Sequence, residues 1–86
     1  MVLKIDRSSE GGRTVLRLSG RIQWEQLEQL KEQMNGIPRV VLDLKDVKLV
    51  DRDAVCFLGA CELSGTELLH CSPYIREWIL KERGEL

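Results

Sequence analysis

Two runs near the start of the chain alternate apolar and polar residues. In the first, Val2 to Asp6, Leu3 and Ile5 fall on one side and Val2, Lys4 and Asp6 on the other. In the second, Thr14 to Ser19, Leu16 and Leu18 oppose Val15 and Arg17. A period of two predicts strands, and Ser8-Ser9-Glu10-Gly11-Gly12 between them predicts the turn of an antiparallel hairpin. From Gln23 to Asn35 the period changes: Trp24, Leu27, Leu30 and Met34 recur at helical spacing. Asn35-Gly36 and Pro38 close that helix. Val40, Leu42 and Leu44 then alternate with Val41 and Asp43 in a third strand, followed by a link from Lys45 to Val50. Asp51 is placed to cap a helix of about three turns that ends at Ser64-Gly65-Thr66. Glu67 to Cys71 predicts a short strand, with Leu69 and Cys71 on one face and Leu68 and His70 on the other. Ser72-Pro73 opens a last helix whose inward stripe is Ile75, Trp78, Ile79 and the stem of Glu82.

The order β-β-α-β-α-β-α predicts an α/β fold. Strand–helix–strand units with short links imply parallel neighbours and right-handed crossovers. Strands covered on both faces read as continuous apolar runs, whereas these are half polar. All three helices should therefore lie on one face of an approximately four-stranded mixed sheet. The other face would present Lys4, Val15, Arg17, Val41, Asp43, Leu68 and His70. The expected core is Leu3, Ile5, Leu16, Leu18, Leu27, Leu30, Val40, Leu42, Leu44, Phe57, Leu58, Ile75 and Ile79. No linker, repeat or low-complexity segment interrupts the pattern, so residues 1–86 are expected to form one domain.

Charge and composition mainly exclude. A net charge of −1 with interspersed signs gives no basic face for nucleic acid or anionic lipid. Trp24, Phe57, Tyr74 and Trp78, the only aromatics, form no ladder on which bases could stack. The longest apolar run, Ala54 to Cys61, is too short to span a bilayer, and the chain opens with no secretory leader pattern. Three cysteines without regular spacing fit a reducing compartment rather than a disulfide framework. The expected location is the cytoplasm.

Chemistry-bearing residues are scattered. Cys56 and Cys61 sit five apart on a helix and face different ways, while His70 and Cys71 are strand neighbours pointing to opposite sides, so no metal site is expected. The single histidine has no nucleophile set on a shared face, and Asp43, Asp46, Asp51 and Asp53 read as caps and turns. Isolated Gly59 and Gly65 make no phosphate loop. The sequence therefore points to a binding module without catalysis or cofactor. Its most informative feature is the second helix. With Ala54, Phe57, Leu58 and Cys61 toward the sheet, Cys56, Gly59, Ala60 and Leu63 would face outward, small and apolar where a surface helix normally carries charge. Either neighbouring elements bury that face, or it is a close-packing partner surface.

Three segments, in order, resemble the STAS domain, the fold of anti-sigma factor antagonists. They are Val15-Leu16-Arg17-Leu18-Ser19-Gly20-Arg21-Ile22, then Val40-Val41-Leu42-Asp43-Leu44 running on through Asp46-Val47 to Asp51 at a helix start, then Cys71-Ser72-Pro73-Tyr74-Ile75-Arg76-Glu77-Trp78-Ile79. In switchable members the second helix opens Asp-Ser-Ser-Gly or a Thr variant, and a partner kinase phosphorylates the hydroxyl just after the Asp. Here the tetrapeptide is Asp51-Arg52-Asp53-Ala54, with Arg52 at the hydroxyl position and no phosphorylatable side chain.

The resemblance implies a regulator in signal transduction and transcription that binds a protein, an anti-sigma factor or kinase-like partner. Asp51, Arg52, Asp53, Cys56, Gly59, Ala60 and Leu63 would form the docking surface. Arg52 is either drift in a module that no longer switches or a fixed charge for the partner. Two alternatives remain open: the small STAS subunit of a lipid-transport ABC system, gripping an ATPase, and a homodimeric structural module. STAS domains usually continue past the position of Leu86, so Glu67–Cys71 is also an expected open edge for a second copy or a partner strand.

Overall fold

A computed structural model describes residues 3–85. Val2, expected in the first strand, lies outside the described residues. The chain runs β1 (Leu3–Glu10), β2 (Arg13–Ile22), a 3₁₀ turn (Trp24–Gln26), α1 (Leu27–Met34), β3 (Val40–Val50), α2 (Arg52–Leu63), β4 (Glu67–Leu69) and α3 (Pro73–Glu82). The sheet order is β1-β2-β3-β4, antiparallel between β1 and β2 and parallel thereafter. This is the expected mixed four-stranded α/β arrangement. Gly11 and Gly12, both at positive φ, make the two-residue turn that matches the twist of a hairpin. Ser8, Ser9 and Glu10, expected in the turn, instead continue β1.

One core lies between sheet and helices. Leu3, Leu16, Leu18, Ile22, Leu42, Leu44 and Val50 meet Leu30 of α1, Ala54, Val55 and Leu58 of α2, and Ile75 and Ile79 of α3 in a single cluster. All three helices therefore cover one sheet face. On the opposite face Val15 and Val41 are nonetheless buried. Side chains reaching across β3 roof them: Arg13 of β2 pairs with Glu67 of β4 at 2.7 Å, and further along Arg17 and His70 converge on Asp43.

Four expectations are corrected. The link Lys45–Val50 is strand: β3 runs unbroken to Val50, with two register shifts against β2. Each shift adds one residue to β3, so the inward positions become 42, 44, 47 and 50, and the period of two is lost. Trp24 leaves the helical stripe expected with Leu27, Leu30 and Met34. The first turn of its segment is 3₁₀, so Trp24 stands 63% exposed while Gln26 is buried, its Oε1 accepting the Gln23 N–H at 3.0 Å. The phase of β4 is the reverse of that expected: Leu68 pairs with Leu42 and packs on the core, Leu69 lies beside Asp43 on the open face, and the strand ends there. Finally, α2 is rolled toward α3. Its fully buried residues are Ala54, Val55, Leu58 and Gly59, while Phe57 and Cys61 are half-buried.

Candidate functional site

The start of α2 is built around one carboxylate. Asp51 is extended, as an N-cap must be, and its Oδ1 accepts the Ala54 N–H at 2.9 Å. Its Oδ2 accepts the Trp24 N–H at 2.9 Å, and its own N–H donates to the Ile22 carbonyl at 3.3 Å. Asp51 thus ties the end of β2 to the first turn of α2 as well as capping the helix. Asp51→Ala removes both side-chain bonds, and the expected loss of unfolding free energy is about 1–2 kcal/mol. Denaturant titration checks this, and Asp51→Asn, which keeps an acceptor, should recover about half of that loss.

Arg52 is exposed but not free. Its Nε donates to Glu82 Oε1 of α3 at 3.1 Å, while the Trp78 indole N–H donates to Glu82 Oε2 at 3.2 Å. The Cys56 thiol lies 3.9 Å from the same Oε1. The Arg52 hydrogen bond and charge hold the Glu82 carboxyl below its ordinary range, with Trp78 adding to the effect. The guanidinium is thereby braced from one side and keeps its outer nitrogens for another group. Asp53, its neighbour, is exposed.

Behind this corner a groove of about 180 Å³ runs between α2 and α3, lined mainly by Val55, Cys56, Gly59, Ala60, Leu63 and Ile79, with Glu82 and Arg83 at its edge. Four of the residues expected on the partner face, Cys56, Gly59, Ala60 and Leu63, come together here. Cys56 and Ala60 are exposed, and Leu63 is 72% exposed. Gly59 is corrected: it faces α3 and is buried, and a Cβ there would stand 3.3 Å from Ile79 Cγ2. Its lack of a side chain lets α3 approach and forms the floor of the groove. Glu62 locks the two helices together, accepting from Arg76 Nη1 and Nη2 at 2.7 and 2.9 Å and from Arg83 Nη2 at 2.7 Å.

Sequence reasoning missed two residues near this corner. Glu82, the brace of Arg52, lies thirty positions away, and only the α2–α3 pairing reveals it. Trp24, which follows β2 and donates its N–H to Asp51, is a large exposed apolar residue. The 3₁₀ turn puts it outside, and periodicity did not show that turn.

The remaining candidates do not converge. Burial pushes the Cys61 thiol up to about 11 and raises that of Cys71, so both are thiols rather than thiolates at neutral pH. His70 contacts Asp43 on the other side of the sheet. Among the described residues no three metal-ligating side chains cluster. No helix among them is long and apolar enough to cross a membrane.

No sequence-family profile matches the chain, and no curated protein does. Among solved structures it is similar to the anti-sigma factor antagonist SpoIIAA in its unphosphorylated form, with a TM-score of 0.64 and 16% identity. The superposition covers 95% of this chain and 82% of that one. Element order, mixed sheet and one-sided helices agree with that likeness, and the chain has the STAS fold.

Proposed function

We propose that this protein is a regulatory binding module of the anti-sigma factor antagonist kind, which docks a protein partner on the start of α2 and the adjoining groove without a phosphorylation switch there. One observation carries the reading. At the position where the resemblance places a switchable hydroxyl stands a cation, Arg52, pre-positioned by Glu82, which Trp78 in turn orients. A phosphoryl group there would bring about −1.5 to −2 charges. The residues 51–54 offer it no hydroxyl and a charge of the opposite sign. Binding through this corner is therefore constitutive and set by protein abundance.

The chemistry of this surface supports one kind of partner. The outer nitrogens of Arg52 suit a carboxylate, and beside them the small apolar groove with exposed Leu63 suits an apolar side chain. The fitting occupant is a protein segment that pairs an acidic residue with an apolar anchor.

The test begins with affinity capture from native cytosol, followed by titration of the purified partner. Arg52→Glu reverses the charge and sets two carboxylates against each other at Glu82, so affinity should fall about tenfold or more. Arg52→Lys should fall less, and Arg13→Ala on the opposite face should change nothing. Kinase and ATP should add no phosphate at residues 51–54. Equal affinity of the parent and Arg52→Glu would remove α2 from the interface.

A further inference from the structure

The sheet face without helices carries a second constructed feature, independent of the docking corner. Asp43 sits in the middle of β3 with its side chain 7% exposed. Its Oδ1 accepts the Lys45 backbone N–H at 3.0 Å and lies 3.0 Å from His70 Nδ1, and its Oδ2 lies 3.6 Å from Arg17 Nε. Burial works against the charged form, but the Lys45 N–H, His70 and Arg17 together outweigh it and hold the carboxyl below its ordinary value. An ionised carboxylate can only accept, so Nδ1 must be the donor. In neutral His70 the lone pair is then on Nε2, and the side chain is 58% exposed. Among the described residues Nε2 has no hydrogen-bond partner.

The backbone is arranged for this contact. His70 has φ 55°, and among the described residues it is the only one other than glycine in the left-handed region. That conformation is disfavoured for a side chain with a Cβ and persists where the surroundings impose it. Here it turns the chain after β4 and brings the imidazole back over β3. A buried carboxylate that fixes the tautomer, itself held by Arg17, and an exposed unpaired ring nitrogen together make an oriented nucleophile rather than a plain surface histidine. Among the described residues no third ligand accompanies them to hold a metal, and no hydroxyl or thiol is bonded to Nε2 for a hydrolytic relay.

We propose that His70 is a phosphoryl-acceptor site, modified at Nε2, with Asp43 as its positioning residue and Arg17 as the cation that holds Asp43 in place. The donor class is a phosphoramidate or an acyl phosphate. The Nε2 lone pair attacks phosphorus and an N–P bond forms. The P–N or P–O bond to the donor breaks, and its electron pair leaves with the amine or carboxylate, the amine taking a proton from water. Nothing is oxidised or reduced. The Nδ1 proton stays on the ring, and Asp43 offsets the positive charge the ring acquires.

The chain contains one histidine, which makes the test clean. The intact protein is incubated with potassium phosphoramidate and followed by intact mass and ³¹P NMR. One acid-labile, base-stable phosphoryl group per chain is expected, on Nε2, gained about tenfold faster than by the urea-unfolded chain. Asp43→Asn should slow the folded-state rate by about tenfold or more, with circular dichroism checking its fold, and Arg17→Gln severalfold. ¹⁵N NMR of the parent should show the Nδ1–H tautomer, a readout that depends on no variant. Modification on Nδ1, an Nε2–H tautomer, or equal rates in folded and unfolded chains would overturn the proposal.

Discussion

Leu42→Ala should lower the unfolding free energy by about 2–5 kcal/mol. Leu42 is fully buried in the middle of β3, paired with Leu16 on one side and Leu68 on the other, under the helices. Truncation removes its transfer free energy and leaves a cavity that flanking strands, fixed by their ladders, can close only in part. A domain of this size has about 4–13 kcal/mol of stability in total, so the loss is a large fraction of it. Urea titration followed by circular dichroism checks the value. A change below about 1 kcal/mol would mean that the helices settle into the space, and that the core is less rigid than its burial indicates.

The second large effect is expected at Glu62. Its carboxylate holds Arg76 by two bonds and Arg83 by a third, so it is the polar rivet between α2 and α3. Glu62→Ala leaves Arg83, whose side chain is only 17% exposed and whose Nε already lacks a hydrogen-bond partner, with only the exposed Glu85 carboxylate at 3.9 Å as counter-charge. Breaking a fully buried pair costs about 3–5 kcal/mol; with Glu62 and Arg76 partly exposed, about 2 kcal/mol is expected here. The same contact predicts a pH dependence. The Arg76 hydrogen bonds, opposed by burial and supported by Arg83, hold the Glu62 carboxyl below its ordinary value of 4.5. A depressed pKa stabilises the fold fully above that ordinary value, and the contribution disappears as pH falls through the folded-state value. Stability of the parent should therefore fall in acid below about pH 4.5, and Glu62→Ala should show a shallower fall over the same range. Parallel pH profiles for the two proteins would show that other carboxylates, Asp43 foremost, carry the acid sensitivity.

The most legible features were those decided within a few residues. The Asp51 and Ser72 caps follow from side chains that reach their own helix, and both make the bonds their positions predict. The Gly-Gly hairpin and the strand at Val40–Leu44 were equally readable, because turn chemistry and a period of two are local signals. Misreadings arose where tertiary packing reset the phase. The roll of α2 depends on Gly59 meeting Ile79 of another helix, which no single-helix pattern contains. The phase of β4 was ambiguous because apolar Leu68 and Leu69 are adjacent, and the register with Leu42 decided between them. At the proposed docking corner the α2 residues were visible as an anomaly of composition. Their partner Glu82 and the neighbour Trp24 were not, since both arrive there through the fold.

The two register shifts in β3 bear on how this chain can change its length. Thr14–Ile22 of β2 pairs against Val40–Val50, so β3 carries two residues more than its neighbour over the same run. One surplus residue exchanges the two faces of everything that follows, and a second exchanges them back. Parity is restored at Val50, which returns to the core opposite Ile22, and Asp51 emerges aimed correctly at Ala54 and Trp24. Losing a single residue between Lys45 and Leu49 would leave an odd surplus, turn Val50 toward water and misdirect the whole second helix. Losing two would leave none, and Val50 would stay inward. Insertions and deletions in this strand are therefore survivable in pairs and disruptive singly, a rule of even steps written into the ladder itself.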